Sequence, residues 1–592
     1  MLGKNDVGPA ENLLRVESKT KAKRVKRASQ YDLWLRVSAA NRCHHSRASR
    51  LVNNIGHVNP VFRNRTWYTA WSGFQECGLP STFGIVDLFA GPGGLGEGFA
   101  SLTQNDHAPF RIGISVEKEA SAHATLTLRA FLREYRLRHD SLPIEYVEFH
   151  AGRRAQPDWS AIDAEAWRHA INEARALELG TEAAAQTLDS AISRLKEEYD
   201  DTILIGGPPC QAYSLVGRAR SRGKTDYVPE DDARHYLFRE YIRALDRLRP
   251  AVFVMENVKG MLSSTVESRL VFEMLMEDLS SLGTGHQHHY ELHAIRVDNG
   301  VAKLSEAVQP SDFIVRAEQF GVPQRRHRVI IVGIRSDLAA RAQDAQIAVS
   351  AMTRTVKDTI ATLPPLRSGI SRGHDDTTTW HAAVGDAARQ LACICSDTGD
   401  DVLSEAFASV LKKLAANPPS HRGASSLPAS YGVSNDELLR WLERPELVAI
   451  AQHETRGHMV SDLGRYLFAA VFGAVRGFSP KATDFPAALA PDHRNWDSGV
   501  FNDRFRVQLA IEAATTVTSH ISKDGHYFIH PDPLQCRSLT VREAARLQTF
   551  PDDYFFLGNR TQQYVQVGNA VPPFLARQIA TLIHRLLVND AP

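Results

Sequence analysis

The chain has 592 residues, of which 43% are hydrophobic and 23% are charged, and its net charge is +1. This length allows two or three domains with a substantial core, and the composition is that of an ordinary globular protein. Six cysteines exclude a disulfide-rich scaffold, and no apolar run suits a signal peptide or a membrane span. We therefore expect a protein of the reducing cytoplasm with no membrane partner.

Residues 1–80 differ in charge from the rest of the chain. They hold 14 Lys and Arg against 5 Asp and Glu, and the densest run is KTKAKRVKR at 19–27. Composition alone favours a solvated arm, and a non-specific contact with phosphates is the alternative. We interpret 1–80 as a basic N-terminal extension and leave its role open.

From Phe83 onward, short β-branched runs alternate with amphipathic segments, as in a parallel α/β sheet. Four runs are expected to be buried strands: GIVDLFA at 84–90, RIGISVE at 111–117, TILIGG at 202–207 and AVFVMEN at 251–257. Open α/β sheets bind their ligands at the carboxyl ends of such strands. The Ala/Glu-rich stretch 151–200 is helical in pattern and is interpreted as a surface insertion.

The stretch 338–535 lacks this strand–helix rhythm. It contains Pro/Gly/Ser-rich turns and two polar and aromatic clusters, HRNW at 493–496 and RFR at 504–506. We interpret 338–535 as a smaller second domain, inserted before the chain returns to the first domain at 536–592. In the returning block, Thr540 is a good N-cap for an amphipathic helix.

A glycine-rich turn follows the first expected strand. Gly91, Gly93 and Gly96 satisfy GxGxxG, and Glu117 ends the next strand, where a carboxylate can accept both hydroxyls of a ribose. Glycines let the backbone turn sharply and approach a ligand closely. Taken alone, this pattern fits an NAD dehydrogenase, a methyltransferase or merely a tight strand–helix turn.

Three further motifs carry candidate chemistry. Cys210 follows two prolines in GGPPCQAYS, and a rigid loop at a strand end suits a nucleophile. Glu256 ends a strand, where its carboxyl group could donate a proton to a ring nitrogen. Arg325, Arg326 and Arg328 precede another strand in QFGVPQRRHRVIIVG at 319–333. In isolation, Cys210 would be interpreted as a packing cysteine, Glu256 as a solvated glutamate and the arginine run as a basic surface turn.

Together, and in this order, DLFAGPGG, the Glu117 strand end, GGPPCQAYS, ENVKG, QRRHR, RSLTVREAARLQTFP and VGNAVPP resemble the DNA (cytosine-5) methyltransferase family. The resemblance covers roughly 83–336 and 537–590. It implies an α/β, Rossmann-like sheet that uses S-adenosylmethionine, with an inserted target recognition domain at 338–535. The clusters at 493–496 and 504–506 would contact base edges and the DNA backbone. The catalytic domain would then comprise 81–337 and 536–592.

The same resemblance assigns roles to residues of this chain. Cys210 would be the nucleophile, Glu256 the acid at cytosine N3, and Arg328 with Arg326 nearby would hold the cytosine carbonyl. The residues implied around S-adenosylmethionine are Phe89, Gly91, Gly93, Gly94, Glu117 and Asn569, with Pro209 where cofactor and base meet. Members usually carry an Asp after a third strand, at the cofactor adenine. EYVEFHAGRR at 145–154 is the expected region here, but it has no Asp at that point.

We therefore expect a DNA (cytosine-5) methyltransferase that acts on double-stranded DNA as a monomer, with a separately encoded restriction endonuclease as a candidate partner. Three alternatives stay open: a tRNA substrate, a catalytically idle cofactor-binding DNA-binding protein, and an NAD oxidoreductase. No metal site is expected, because Cys393 and Cys395 form no zinc signature and His453, Glu454 and His458 are wrongly spaced for a zinc protease.

Overall fold

The computed structural model describes residues 81–209, 237–266, 269–281, 290–350, 352–429, 431–432, 434–492, 496 and 502–588. The basic extension 1–80 and Cys210 lie outside these residues. The described strands are Phe83–Leu88 (β1), Phe110–Val116 (β2), Ala174–Arg175 (β3), Thr202–Gly206 (β4), Val252–Val258 (β5), Thr265–Val266 (β6), Arg269–Leu270 (β7), Tyr290–Asp298 (β8), Val301–Glu306 (β9), Ile314–Arg316 (β10), Gln324–Arg325 (β11), His327–Arg335 (β12), Gln346–Ala348 (β13), Gly369–Ile370 (β14), Gly423–Pro428 (β15), Ala449–Glu454 (β16), Gly457–His458 (β17) and Ala514–Thr515 (β18).

Ten of these strands form one mixed sheet, in the order β13-β9-β8-β12-β5-β4-β1-β2-β3, with β10 paired to β12. The strands from β3 to β5 are parallel, whereas β12 is antiparallel to both β5 and β8. The four expected strands are present as β1, β2, β4 and β5. The carboxyl ends of β1, β2, β4 and β5 therefore meet at one edge of the sheet, as the sequence predicts.

Helices cover both faces of the sheet, which explains why its central strands are apolar on both sides. The described helices are Gly94–Ala100, Ala120–His139, Ile144–His150, Trp159–Ile162, Ala164–Glu173, Glu182–Glu198, Leu237–Leu248, Val271–Ser281, Val356–Ile360, Thr377–Asp397, Asp401–Ala416, Glu437–Leu442, Val460–Arg476, Val541–Leu547, Arg560–Asn569 and Pro573–Val588. The first and the last of them pack on one face, and Glu182–Glu198 and Leu237–Leu248 pack on the other.

The stretch 151–200 differs from its expected role as a surface insertion. It is mostly helical, but it also contains β3, which pairs with β2, and the helix Glu182–Glu198 buries Leu188, Ile192 and Leu195 against the sheet. The region 145–154, expected to follow the third strand, is helical instead, because residues 144–150 form a helix that buries Tyr146 and His150, four positions apart. The actual third strand has two residues, too few to show an alternating pattern.

The stretch 338–535 has a helical core of its own, but it is not separated from the rest of the fold. The helices Thr377–Asp397, Asp401–Ala416 and Val460–Arg476 pack together. The main sheet, however, extends to β13, and β18 pairs with β11, so both expected boundaries cut through shared structure. Residues 80–592 form one compact unit. No helix among the described residues is long and apolar enough to cross a membrane.

The returning block begins as predicted. The Thr540 side chain accepts a hydrogen bond from the Glu543 amide, and Glu543 in turn accepts from the Thr540 amide, so that the two form a capping box. His453 on β16 hydrogen-bonds the Thr540 hydroxyl at 2.9 Å and the Pro364 carbonyl at 2.9 Å. Its position on a strand confirms that the His453–His458 spacing does not place two histidines on one helix face.

Acid should destabilise the packing of the returning block, which both His150 and His453 contact through hydrogen bonds to Asp552 and Thr540. Burial lowers the pKa of both His150 and His453 to about 4, whereas an unfolded histidine has a pKa near 6.5. Below pH 6.5 the unfolded chain binds protons at these histidines and the folded chain does not. The stability that the neutral histidines contribute is therefore complete above pH 6.5 and is lost as the pH falls towards 4. The free energy of unfolding should drop by about 2 kcal/mol per histidine between pH 7.5 and 5.

Urea unfolding at the two pH values measures this loss. The matched control is His374→Gln, because His374 is exposed and its replacement should leave the pH dependence intact. The His453→Gln variant should show a smaller drop than the wild type, and an equal drop in both would refute the assignment to His453.

Candidate functional site

The turn after β1 leaves room for a ligand at Gly91. Phe89, Gly91 and Gly93 have φ of 59°, 58° and 98°, and the Phe89 side chain is half-buried. A β-carbon on Gly91 would meet nothing within 4 Å, whereas one on Gly94 would lie 2.2 Å from the Val571 carbonyl oxygen. The turn therefore presents bare backbone to open space at Gly91 and is closely packed at Gly94.

Glu117 follows β2 directly beside this turn. Its carboxylate accepts hydrogen bonds from the backbone amides of Gly91, at 2.8 Å, and Glu119, at 2.7 Å. Two donors fix its orientation, and the half-buried side chain keeps acceptor capacity for ligand hydroxyls. These residues fit S-adenosylmethionine, because an oriented carboxylate and open glycine backbone suit a ribose and a closely approaching chain.

The loop that leads to Cys210 starts between β1 and β5. The Asn257 side-chain amide donates to the Pro208 carbonyl at 3.0 Å, and the Gly207 amide lies 3.4 Å from the Leu88 carbonyl oxygen. Pro209 is half-buried and is the last described residue before Cys210. The thiol itself lies outside the described residues, but its loop begins at the predicted edge of the sheet.

Glu256 and Arg328 form the ionic centre of this edge. The Arg328 Nε lies 2.9 Å from the Glu256 Oε1, and each side chain is 14% exposed. A β-carbon on Gly207 would lie 2.9 Å from the other Glu256 oxygen, so the carboxylate reaches the start of the cysteine loop. Burial lowers the pKa of Arg328, and the negative charge of Glu256 opposes this shift. The structure thus brings together two of the four predicted catalytic residues.

Arg326 faces another way. Its guanidinium is buried and donates to the backbone carbonyls of Val517, at 2.9 Å, and Gly568, at 3.3 Å. Burial, with the nearby charge of Arg328, lowers its pKa well below the usual range, and Glu256 opposes this. Its contacts join the β11–β12 corner to the end of the stretch 338–535 and to the returning block. Arg326 therefore lies near Glu256 and Arg328, and the hydrogen bonds it makes go to backbone carbonyls.

Asn569 lies at the end of the helix Arg560–Asn569 and is exposed. A β-carbon on the preceding Gly568 would lie 2.3 Å from the Ser519 nitrogen, so this helix end packs tightly on residues 518–519. Val571, two residues further on, contacts Gly94 of the glycine-rich turn after β1. The chain therefore brings Asn569 close to the glycine-rich turn that follows β1.

The sequence interpretation missed Asp87, a buried carboxyl group beneath the glycine-rich turn after β1. Asp87 is 1% exposed, and neither of its oxygens has a hydrogen-bond partner among the described residues. Burial raises the pKa of this carboxyl well above its usual range. A carboxylate within the otherwise apolar run GIVDLFA was the available signal.

The two clusters expected to contact bases differ from that expectation. Phe505 is 3% exposed and packs with Trp496 at a ring distance of 6.1 Å, so these aromatic residues belong to a core. Arg504 and Arg506 are partly exposed and pair with Asp524 and Asp503. Residues 493–495 lie outside the described residues. No group of three or more potential metal ligands occurs in the described part of the chain.

Comparisons with known proteins agree with this geometry. A family model described as C-5 cytosine-specific DNA methylase matches residues 186–585, more than half of the chain. The type II methyltransferase M.Bpa9945I of Bacillus paralicheniformis is 31% identical over 517 residues, which cover 84% of this chain and 98% of that protein.

Two further relatives are more distant. The type II methyltransferase M.DdeI of Desulfomicrobium norvegicum is 27% identical and covers 68% of this chain and 79% of its own length. The DNA (cytosine-5-)-methyltransferase M.ApeKI of Aeropyrum pernix is 25% identical, with 66% and 82% covered. The family match, the 31% relative and the Glu256–Arg328 edge lead to one conclusion: this chain is a member of the C-5 cytosine-specific DNA methylases, which are enzymes that use S-adenosylmethionine.

Proposed function

We propose that this enzyme methylates C5 of a cytosine that is flipped out of duplex DNA, through a covalent intermediate on Cys210. The observation that carries the proposal is the meeting of Glu256, Arg328 and the start of the cysteine loop at one edge of the sheet. Glu117 lies at the same edge, at the end of β2. A nucleophile, an acid and a cofactor site at one edge suit a methyl transfer to a ring carbon.

C5 of cytosine is a weak nucleophile, and covalent catalysis divides its methylation into easier steps. The Cys210 thiolate adds to C6 while Glu256 donates a proton to N3, so that C5=C6 opens and an enamine forms with its double bond between C4 and C5. C5 can then form a bond to a methyl group, whose bond to the donor sulfur breaks. Loss of the C5 proton to a base expels the thiolate and re-forms C5=C6, and N3 returns its proton to Glu256.

Arg328 supports the same steps in two ways. Its guanidinium orients the Glu256 carboxyl group, and its remaining donors can hold the cytosine carbonyl, a planar acceptor that suits a guanidinium. Because both side chains are 14% exposed, these interactions take place with little water present, which strengthens them.

S-adenosylmethionine supplies an electrophilic methyl group when it is bound. On the residues of this chain, Glu117 would hold the ribose hydroxyls and the turn from Gly91 to Gly94 would let the ligand approach the backbone. Phe89, Asn569 and Pro209 would complete its surroundings. No Asp follows the third strand directly, because the next residues are Ala176, Leu177 and Glu178.

Duplex DNA is the proposed substrate, and flipping the target base costs a few kcal/mol, which contacts with the DNA must offset. The relatives M.Bpa9945I and M.DdeI are named type II methyltransferases. We accordingly infer a role in a restriction–modification system, with a separately encoded endonuclease, for a monomer in the cytoplasm. Transfer of tritiated methyl groups to duplex DNA and to tRNA tests the substrate. Transfer to tRNA alone would refute it.

The residues that choose the target sequence should lie in the region 338–535 and not in the basic extension 1–80. The structure suggests exchanging 352–513 with the equivalent region of a relative, because this keeps β13 and β18 in the sheet contacts described above. We expect a new methylated sequence in bisulfite data at a similar rate. Correct base contacts discriminate by about 1–3 kcal/mol each, so the original sequence should be lost.

Deletion of 1–80 is the control for this exchange and should leave the methylated sequence unchanged. The opposite pair of results, a changed sequence after deletion and an unchanged sequence after exchange, would move recognition to the extension.

A further inference from the structure

The turn formed by residues 91–94, which we call the cofactor turn, is packed against a residue from the far end of the chain. The Tyr554 hydroxyl donates a hydrogen bond to the carbonyl of Pro92, in the middle of the turn. A β-carbon on Gly93 would lie 3.0 Å from that hydroxyl oxygen and 2.7 Å from the Leu126 Cδ1. Tyr554 is buried and therefore fills the back of the turn while it binds the backbone.

The ring of Tyr554 is fixed by charge. The Arg129 guanidinium lies 4.9 Å from the centre of the ring, a cation–π distance. Arg129 also binds Glu97 at 2.6 Å and Asp553 at 3.0 Å, and all three of these side chains are almost fully buried. Because Glu97 belongs to the helix that follows the turn, one network holds the turn, its helix and the tyrosine.

The backbone of Tyr554 is held from the opposite side. Arg542 donates to the carbonyls of Tyr554, at 2.9 Å, and Pro551, at 3.2 Å. The same guanidinium donates to the carbonyl of Ala451 on β16, at 3.0 Å. The tyrosine thus lies between the region 338–535 and the cofactor turn, with its hydroxyl as the direct link to the turn.

We infer that Tyr554 is a positioning residue for S-adenosylmethionine, whose hydroxyl keeps the turn from 91 to 94 in the conformation that binds the cofactor. The inference rests on the cofactor placement proposed above. Without this hydrogen bond the turn can adopt other conformations, and the apparent affinity falls by the fraction that is no longer competent. The ring itself needs no change for this loss.

The test is Tyr554→Phe, which retains the ring and its contact with Arg129 but removes the hydroxyl. One lost hydrogen bond corresponds to a roughly three- to tenfold increase in the dissociation constant. Calorimetric titration of the DNA-free protein with S-adenosylmethionine measures it directly. Steady-state kinetics should show a matching increase in KM for the cofactor and a nearly unchanged kcat.

The chain offers a matched control in Tyr564. This tyrosine is also buried, its hydroxyl donates to the Leu539 carbonyl at 2.7 Å, and the Arg456 guanidinium lies 4.6 Å from its ring centre. Tyr564→Phe should destabilise the fold about as much as Tyr554→Phe and should bind the cofactor like the wild type. Equal weakening in both variants would overturn the inference.

A second control separates this inference from the cofactor site itself. Glu117→Ala removes a charged acceptor and should weaken binding by about ten- to a hundredfold. An unchanged constant in that variant would refute the cofactor placement. If Glu117→Ala weakens binding while Tyr554→Phe binds like the wild type, the placement stands and the role of Tyr554 is refuted.

Discussion

Cys210→Ser should reduce methyl transfer by several orders of magnitude and leave the binding of S-adenosylmethionine almost unchanged. A serine hydroxyl does not ionise near neutral pH, so it cannot add to C6 as a thiolate does. The cofactor residues lie on the turn after β1 and at the end of β2, and the substitution leaves them intact. Tritiated methyl transfer measures the first effect and calorimetry the second.

DNA that contains 5-fluorocytosine makes the same prediction visible as a covalent complex. Fluorine cannot leave C5 as a proton does, so the wild-type enzyme should remain attached to the DNA under denaturing conditions. Cys393→Ser is the control, because Cys393 is an exposed free cysteine on the helix Thr377–Asp397, and it should be trapped like the wild type. Trapping of the Cys210→Ser variant would contradict the proposed nucleophile.

Glu256→Gln should lower kcat by about a hundred- to ten-thousandfold, the usual contribution of a positioned acid or base. Glutamine preserves the shape of the side chain and can still accept a hydrogen bond from Arg328, but it cannot deliver a proton to N3. DNA binding and cofactor binding should therefore change little. Single-turnover methylation separates the chemical step from product release.

Glu306→Gln is the matched control, since Glu306 is an exposed glutamate at the end of another strand of the sheet. It should methylate at the wild-type rate. A Glu256→Gln variant that retains more than about a tenth of the wild-type kcat would fall outside the range for a proton donor and would assign Glu256 a purely structural role.

Much of the sheet edge that carries the proposed site was predictable because its signals are local. The strands β1, β2, β4 and β5 are apolar runs that lead into the glycine-rich turn, Glu117, the cysteine loop and the Glu256 strand end, and parallel strands must bring those ends together. The proximity of Glu256 and Arg328 follows less directly, since it depends on the antiparallel pairing of β5 with β12. Only the resemblance, which places both residues at the target cytosine, indicated their proximity in advance.

The misplaced features depend on contacts between distant segments. Arg326 carries the same charge as Arg328, and nothing near it in sequence shows that Val517 and Gly568 take its hydrogen bonds. Phe505 lies between two arginines and resembles a surface residue until the core around Trp496 is assembled. The third strand was not predicted for another reason: its two residues are too few to show the alternation of apolar and polar side chains.

The contact between Tyr554 and Pro92 also has a consequence for how the molecule is made. Its partners are separated by 462 positions, and the contact of Gly94 with Val571 spans a similar distance. Contacts of such separation form slowly, after the chain between them has closed a long loop. During synthesis, the segment from 83 to 117 should therefore emerge from the ribosome without a finished cofactor turn. Affinity for the methyl donor should arise only once residues 551–571 have been made and have folded back.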